Sequence, residues 1–492
     1  MELADGRSAL RFAVSGITAI AEALPDAHRE TILVGESDHI HEVAQTVPES
    51  WSRVELEAGG TVADLFDVLA SIRAAGDDTF VITWLDQPFP DCELTTRMVD
   101  RHEQWWCDYT FADGYPAGLA PELLRADVLP ALRQISTVTP VTRDFLFATI
   151  QKDINAFDIE TEVSETDYLP LRVILAADSR RNYLACRQIA DSRPETREAL
   201  LTAVETNAEI QRTVPAYIQV QVSTKSAQTV SYEPAVDTTG SVGFLSAERF
   251  DRILEELVPF APGATIALGY LGEPSFNPEI TAIVENARNA GFPVLVETSG
   301  IGWSAAAVEA IGVLLSSAAS PSVPPVSVIV YLDANDRELY RRLRGDGYDE
   351  AHDFAQRMCE IAPSRTWIQA VRLPESEEHL REFYRYWEDR SAGVIIQKYN
   401  NVAGLLPDRR VADLAPLHRN ACRHLQRDLV IRMNGDVPIC FQDIFCKLGR
   451  GNIFREGIES IWSRGLLDYR NHLAGTRPLF CEKCDEYYTV NA

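Results

Sequence analysis

The sequence predicts an α/β protein built around parallel strands, and three observations carry that prediction. Between Pro215 and about Asn400, short β-branched runs alternate six times with amphipathic helical stretches. A repeat of that length calls for right-handed crossovers, hence a parallel sheet that is open or partly closed into a barrel. Residues 1 to about 210 show the same alternation less regularly, as a layered α/β unit does. The last 92 residues hold five of the nine cysteines and turn slightly basic, with 13 Lys and Arg against 11 Asp and Glu in a chain of net charge −27. The expected division is therefore 1–210, 211–400 and 401–492.

In the first unit, residues 31–34 and 79–85 read as buried strands, and residues 62–69 and 94–101 space their apolar side chains as helices do. A helix near 195–210 serves as a connector. In the second unit, strands are expected at 218–222, 265–268, 293–296, 326–331, 367–371 and 394–397. Helices fall between them at 247–257, 278–290, 303–314 and 377–387. Ligands of parallel barrels lie at the carboxyl ends of the strands, so the loops after Val222, Leu268 and Val296 are where chemistry is expected.

Composition narrows the function. With 46% hydrophobic and 24% charged residues in 492, the chain is an ordinary globular protein able to bury a core. No apolar run reaches a membrane span, and the acidic start Met1-Glu2-Leu3-Ala4-Asp5 is unlike a secretory signal, so a cytoplasmic location is expected. The strong negative charge repels phosphate backbones and anionic lipid surfaces. Neither nucleic acid nor a membrane is expected as a partner, which leaves an unidentified peptide or small molecule.

Cys92, Cys107, Cys186 and Cys359 are scattered singly, as core thiols in a reducing compartment are. Cys422, Cys440, Cys446, Cys481 and Cys484 form the terminal cluster, whose odd number argues for metal over disulfides. Cys481-Glu482-Lys483-Cys484 brings two thiolates to one turn. A hairpin turn at Asn434-Gly435 is expected to carry Cys440 back beside a strand at 429–433, with Cys422 just before it. Four thiolates suit either a tetrahedral Zn²⁺ or a four-iron cluster, and spacing alone leaves the two equally open. Cys446 is a spare or alternative ligand. The nine histidines form no metal-binding spacing, and Trp105-Trp106 reads as packing.

Further residues add a resemblance. Cys422, Gly435-x-x-x-x-Cys440, Gly451-Asn452-Ile453, Ile461-Trp462, Arg470 and Cys481-x-x-Cys484 resemble, in that order, the SPASM/twitch domain of radical S-adenosylmethionine (SAM) enzymes. The resemblance implies one auxiliary [4Fe–4S] cluster on Cys422, Cys440, Cys481 and Cys484. It also implies a partial (β/α)6 barrel upstream. There Gly272-Glu273-Pro274 matches the loop whose backbone takes the methionine end of SAM, and Thr298-Ser299-Gly300 and Tyr331-Leu332-Asp333 follow the third and fourth strands. After the first strand the family carries Cys-x-x-x-Cys-x-x-Cys, three thiolates that leave one iron open to SAM. Here the three positions hold Ser226, Val230 and Glu233, ahead of Pro234. Val230 has no donor atom, Ser226 is a poor iron ligand, and Glu233 is a hard oxygen donor.

The overall order, with Ile395–Asn400, Gly404-Leu405-Leu406-Pro407 and Asp413-Leu414-Ala415-Pro416, is similar to the spiro-SPASM group, which sets a nucleotidyltransferase-like domain before the radical core. Asp86-Gln87-Pro88 and the stretch 115–122 resemble sugar cytidylyltransferases, whose strand-end aspartate holds Mg²⁺. The phosphate-cradling glycine loop of those enzymes is reduced to Asp5-Gly6-Arg7-Ser8, which favours a structural or binding role over catalysis. Three readings follow. The chain is an iron–sulfur protein of this family without SAM cleavage, or an active radical enzyme on a peptide or metabolite, or a zinc-stabilised nucleotidyltransferase relative.

Overall fold

The computed structural model describes residues 2–4, 6–24, 30–72, 78–136, 139–234, 243–317, 323–413 and 418–486. Asp5 and the 414–416 part of the spiro-SPASM resemblance lie outside them. The chain forms two compact units, residues 1–213 and 214–492.

Among its described residues the first unit forms eight strands. The short hairpin β1 (Glu2–Ala4) and β2 (Arg7–Ser8) leads into helix Ala9–Ala23, whose first turn is capped by Ser8 accepting from the Arg11 amide. β3 (Ile32–Glu36) and β4 (Ser52–Leu56) pair in parallel. β5 (Thr79–Ile82), β6 (Tyr109–Asp113), β7 (Glu122–Arg125) and β8 (Ile159–Val163) make a mixed sheet in the order β5-β7-β6-β8. Helices Val62–Ile72 and Cys92–Trp105 stand where the apolar spacing places them. One core gathers Leu94, Met98, Leu123 and Ile189, and another Phe66, Tyr109, Leu124 and Phe145. β5 is half-buried along its whole length instead of deeply buried.

The second unit is organised by one seven-stranded sheet. β9 (Tyr217–Val220), β10 (Thr265–Leu268), β11 (Val294–Thr298), β12 (Val326–Tyr331), β13 (Thr366–Arg372) and β14 (Gly393–Lys398) run in parallel, each beside the next. Alternating burial along β11 and β12 packs Val294, Val296, Val326, Val328 and Val330 against the covering helices and turns Glu297, Ile329 and Tyr331 the other way. Between β12 and β13 stand two helices, Arg337–Arg344 and Tyr348–Ile361. No helix among the described residues is long and apolar enough to cross a membrane.

One strand differs from the sequence expectation. β15 (Asp428–Ile431), fully buried, pairs in parallel with β9 and extends the sheet. It is not the first arm of a hairpin. The turn at Asn434-Gly435 does form: Gly435 has φ +90°, and a Cβ there would stand 2.3 Å from the Phe454 ring. Beyond the turn, β16 (Asp436–Val437) pairs antiparallel with β17 (Gly451–Asn452). The Asn-Gly signal fixes a reversal but not the partner of the strand before it.

Candidate metal centre and the barrel loops

Cys422, Cys440, Cys481 and Cys484 line one cavity of about 350 Å³, its open mouth included. Cys422 precedes the short helix Arg423–Arg427, Cys440 follows β16, and Cys481 and Cys484 lie on and just past the one-turn helix Leu479–Glu482. Burial pushes the Cys440 thiol well above its usual range, with Cys422 and Cys484 adding to it. It raises Cys481 to about 11 and Cys484 to about 12, so thiols clustered without metal favour the protonated form. Among the described residues no three His, Cys, Asp or Glu side chains are gathered to hold a single metal ion. Cys446 does not line the cavity; its thiol lies by Asp443, Asp436 and Arg432.

Polar side chains complete the wall. Arg419 Nη2 donates to the Cys481 carbonyl at 2.5 Å. His424 is held by Asp428 at 2.6 Å and lies 3.7 Å from Glu486. Burial opposes charging its ring, but the two carboxylates outweigh it and push the pKa up to about 10. His472, on the last turn of helix Ile458–Leu473, is pushed down to about 4 by burial and by Arg477 and Arg419, so it is neutral. Gln442 and His472 are buried in this wall. Sequence reasoning singled out neither, because a glutamine or histidine near cysteines has no distinguishing spacing.

At the carboxyl end of the sheet, the loop after β9 is tied down by its own side chains. Gln228 Nε2 donates to Tyr340 Oη at 3.0 Å and to the Asp346 carbonyl at 2.8 Å, and its Oε1 accepts from Arg344 Nε at 3.0 Å. Arg344 Nη1 reaches Tyr232 Oη and Asp333 Oδ2, each at 2.8 Å, and Tyr232 also donates to Asp333. The Arg344 and Asp333 side chains are only 4% and 1% exposed. Ser226 Oγ is spent on the Gln228 carbonyl at 2.7 Å. Ser226 and Glu233 are exposed, and Val230 is half-buried.

The Gly272-Glu273-Pro274 loop packs against this segment. A Cβ on Gly272 would lie 2.0 Å from the Ser223 carbonyl oxygen, so only glycine allows the approach, and the Glu273 amide donates to the Lys225 carbonyl at 2.8 Å. The Glu273 carboxylate turns inward. It accepts from the Ser299 amide at 2.8 Å, from the Ser299 hydroxyl at 2.6 Å and from Thr298. Burial raises its pKa while these bonds act against the rise.

In the first unit Asp86 is ion-paired with Arg143, whose Nε lies 3.3 Å from Asp178. A guanidinium thus already balances the carboxylate. Gly6 sits in the tight turn between β1 and β2 with φ +71°, and Arg7 lies 4.2 Å over the Phe12 ring.

Comparison with known proteins adds the following. Residues 422–485 match SPASM, an iron–sulfur cluster-binding domain. An uncharacterised protein of Treponema pallidum (strain Nichols) is 34% identical over 359 residues, spanning 70% of this chain and 98% of that one. Among solved structures, Streptococcus suis SuiB is 16% identical over 54% of this chain and 70% of its own, at a TM-score of 0.44. SuiB bound to precursor peptide SuiA is 14% identical over 71% and 80%, at 0.45. BtrN in complex with AdoMet and 2-DOIA is 16% identical over 56% and 94%, at 0.37.

Proposed function

We propose that the chain is a one-cluster iron–sulfur protein of the radical SAM/SPASM family, a reading supported by the SPASM iron–sulfur cluster-binding match over residues 422–485; the treponemal protein, 34% identical over 359 residues, is its relative. In this reading Cys422, Cys440, Cys481 and Cys484 hold a single auxiliary [4Fe–4S] cluster, and SAM is not cleaved. The observation that carries it is a contrast between two places in one unit. Four thiols surround one cavity, while the loop after β9 offers Ser226, Val230 and Glu233.

The donor set fits the cluster. Four thiolates suit iron–sulfur chemistry, and the match of residues 422–485 to an iron–sulfur cluster-binding domain favours a cluster over zinc. When bound, such a cluster supplies one-electron transfer. The chain's own residues do the rest. The four cysteines hold it from three separate segments, and the ion-paired His424 sets a positive charge beside it. In the barrel, Arg344 and Asp333 fix the loop by hydrogen bonds where the family uses thiolates, and Glu273 braces the third strand's loop.

The test is SAM turnover. Purified and reconstituted without oxygen, then given dithionite and SAM, the full chain is expected to yield no 5′-deoxyadenosine above a protein-free control. Product formed in amounts exceeding the chain concentration would overturn the proposal.

A further inference from the structure

The four-thiol cavity is also lined by two polar side chains without a bonding partner among the described residues. Gln442 is 2% exposed, and among the described residues neither its Oε1 nor its Nε2 has a hydrogen-bond partner. His472 is 3% exposed, and among the described residues neither ring nitrogen has one. Both line the same cavity as Cys422, Cys440, Cys481 and Cys484. They come from different elements, Gln442 from the segment two residues past Cys440 and His472 from the end of helix Ile458–Leu473.

Buried polar groups are nearly always paired, and an unpaired one is a cost that a fold does not carry without return. Two of them converging on one cavity indicate that its occupant bonds to them. Of the other polar side chains of the wall, Arg419 Nη2 donates to the Cys481 carbonyl, and His424 is held by Asp428 and lies 3.7 Å from Glu486. On the donor side the wall offers the two N–H bonds of the Gln442 amide and the single N–H of a neutral His472 imidazole. Sulfide and thiolate sulfurs are acceptors only, so they can take these N–H groups, whereas Gln442 Oε1 and the second ring nitrogen are acceptors that sulfur does not complete.

We infer that Gln442 Nε2 and His472 donate N–H···S hydrogen bonds to the sulfurs of the bound cluster and thereby set its reduction potential. This rests on the ligand set proposed above. Adding an electron makes the cluster more negative, and hydrogen bonds to its sulfurs stabilise that state. Gln442 and His472 therefore make the cluster easier to reduce, acting as positioning residues around it and not as ligands.

The experiment is a redox titration of the reconstituted full chain, following the EPR signal of the reduced cluster in the wild type, Gln442→Leu and His472→Phe. Held at the wild-type midpoint, each variant is expected to show a reduced-to-oxidised ratio about three- to tenfold lower, where tenfold corresponds to a midpoint about 59 mV more negative for one electron. Iron content should stay at the wild-type value. Pulsed EPR of the wild type after exchange into D₂O gives a second readout that no variant can spoil by misfolding. Exchangeable protons coupled to the cluster are expected, and their absence would overturn the inference. Unchanged midpoints in both iron-loaded variants would overturn it as well, while leaving the ligand set standing. A wild-type chain that binds no iron would overturn the ligand set itself.

Discussion

Replacing Cys440 by alanine is expected to strip the chain of nearly all its iron after reconstitution, whereas Cys446→Ala keeps the wild-type amount. Cys440 is buried in the cavity wall, and burial favours its protonated form so strongly that bonding to iron is what makes a thiolate tolerable there. Without it, three thiolates face a gap in the wall that Gln442, held in place by the same segment, cannot fill as a ligand. Cys446 is only six residues away but is not among the residues that line the cavity, and its thiol lies by Asp443 and Arg432, so its loss leaves the cavity intact. Iron and acid-labile sulfide assays on both variants check this. Equal iron loss from the two would mean that Cys446 is a ligand and the four-thiol assignment is wrong.

Arg344→Met is expected to destabilise the second unit by about 3–5 kcal/mol, the usual cost of leaving one member of a buried ion pair without its partner. Asp333, with its side chain 1% exposed, would lose its ion-pair partner, and Gln228 and Tyr232 would lose the donor that joins them. The double variant Arg344→Met with Asp333→Asn is expected to recover much of that loss. Asp333 sits at φ +65°, a left-handed conformation that asparagine adopts readily, and its Oδ1 would still accept from the Val371 amide at 2.8 Å. Urea titrations of the single and double variants measure both steps. An Arg344→Met chain as stable as the wild type would show that the buried pair does not secure the loop.

The six parallel strands of the second unit were legible in the sequence to within a residue or two, because β-branched runs between amphipathic helices leave few other solutions. The partner of β15 was not. Leu429, Val430 and Ile431 are buried on both faces against β9, about 210 residues earlier in the chain, and local pattern carries no information about so distant a neighbour. That Cys422, Cys440, Cys481 and Cys484 come together at one cavity was legible because thiol spacing is rare and meaningful. Gln442, His472 and Arg344 were not, and for a shared reason: polar residues normally face solvent, so only the structure reveals one that is buried. Arg344 ends the run Arg341-Arg342-Leu343-Arg344, yet it is 3% exposed and bonds to Asp333.

In the proposed reading the chain holds one cluster, on four thiolates, and its barrel holds none. The most direct measurement is the iron and acid-labile sulfide content of the anaerobically reconstituted full chain, read with its Mössbauer spectrum. The account predicts about four irons and four sulfides per chain in a single [4Fe–4S] component. About eight irons with a second, SAM-responsive component would contradict it, and zinc in place of iron would contradict it equally.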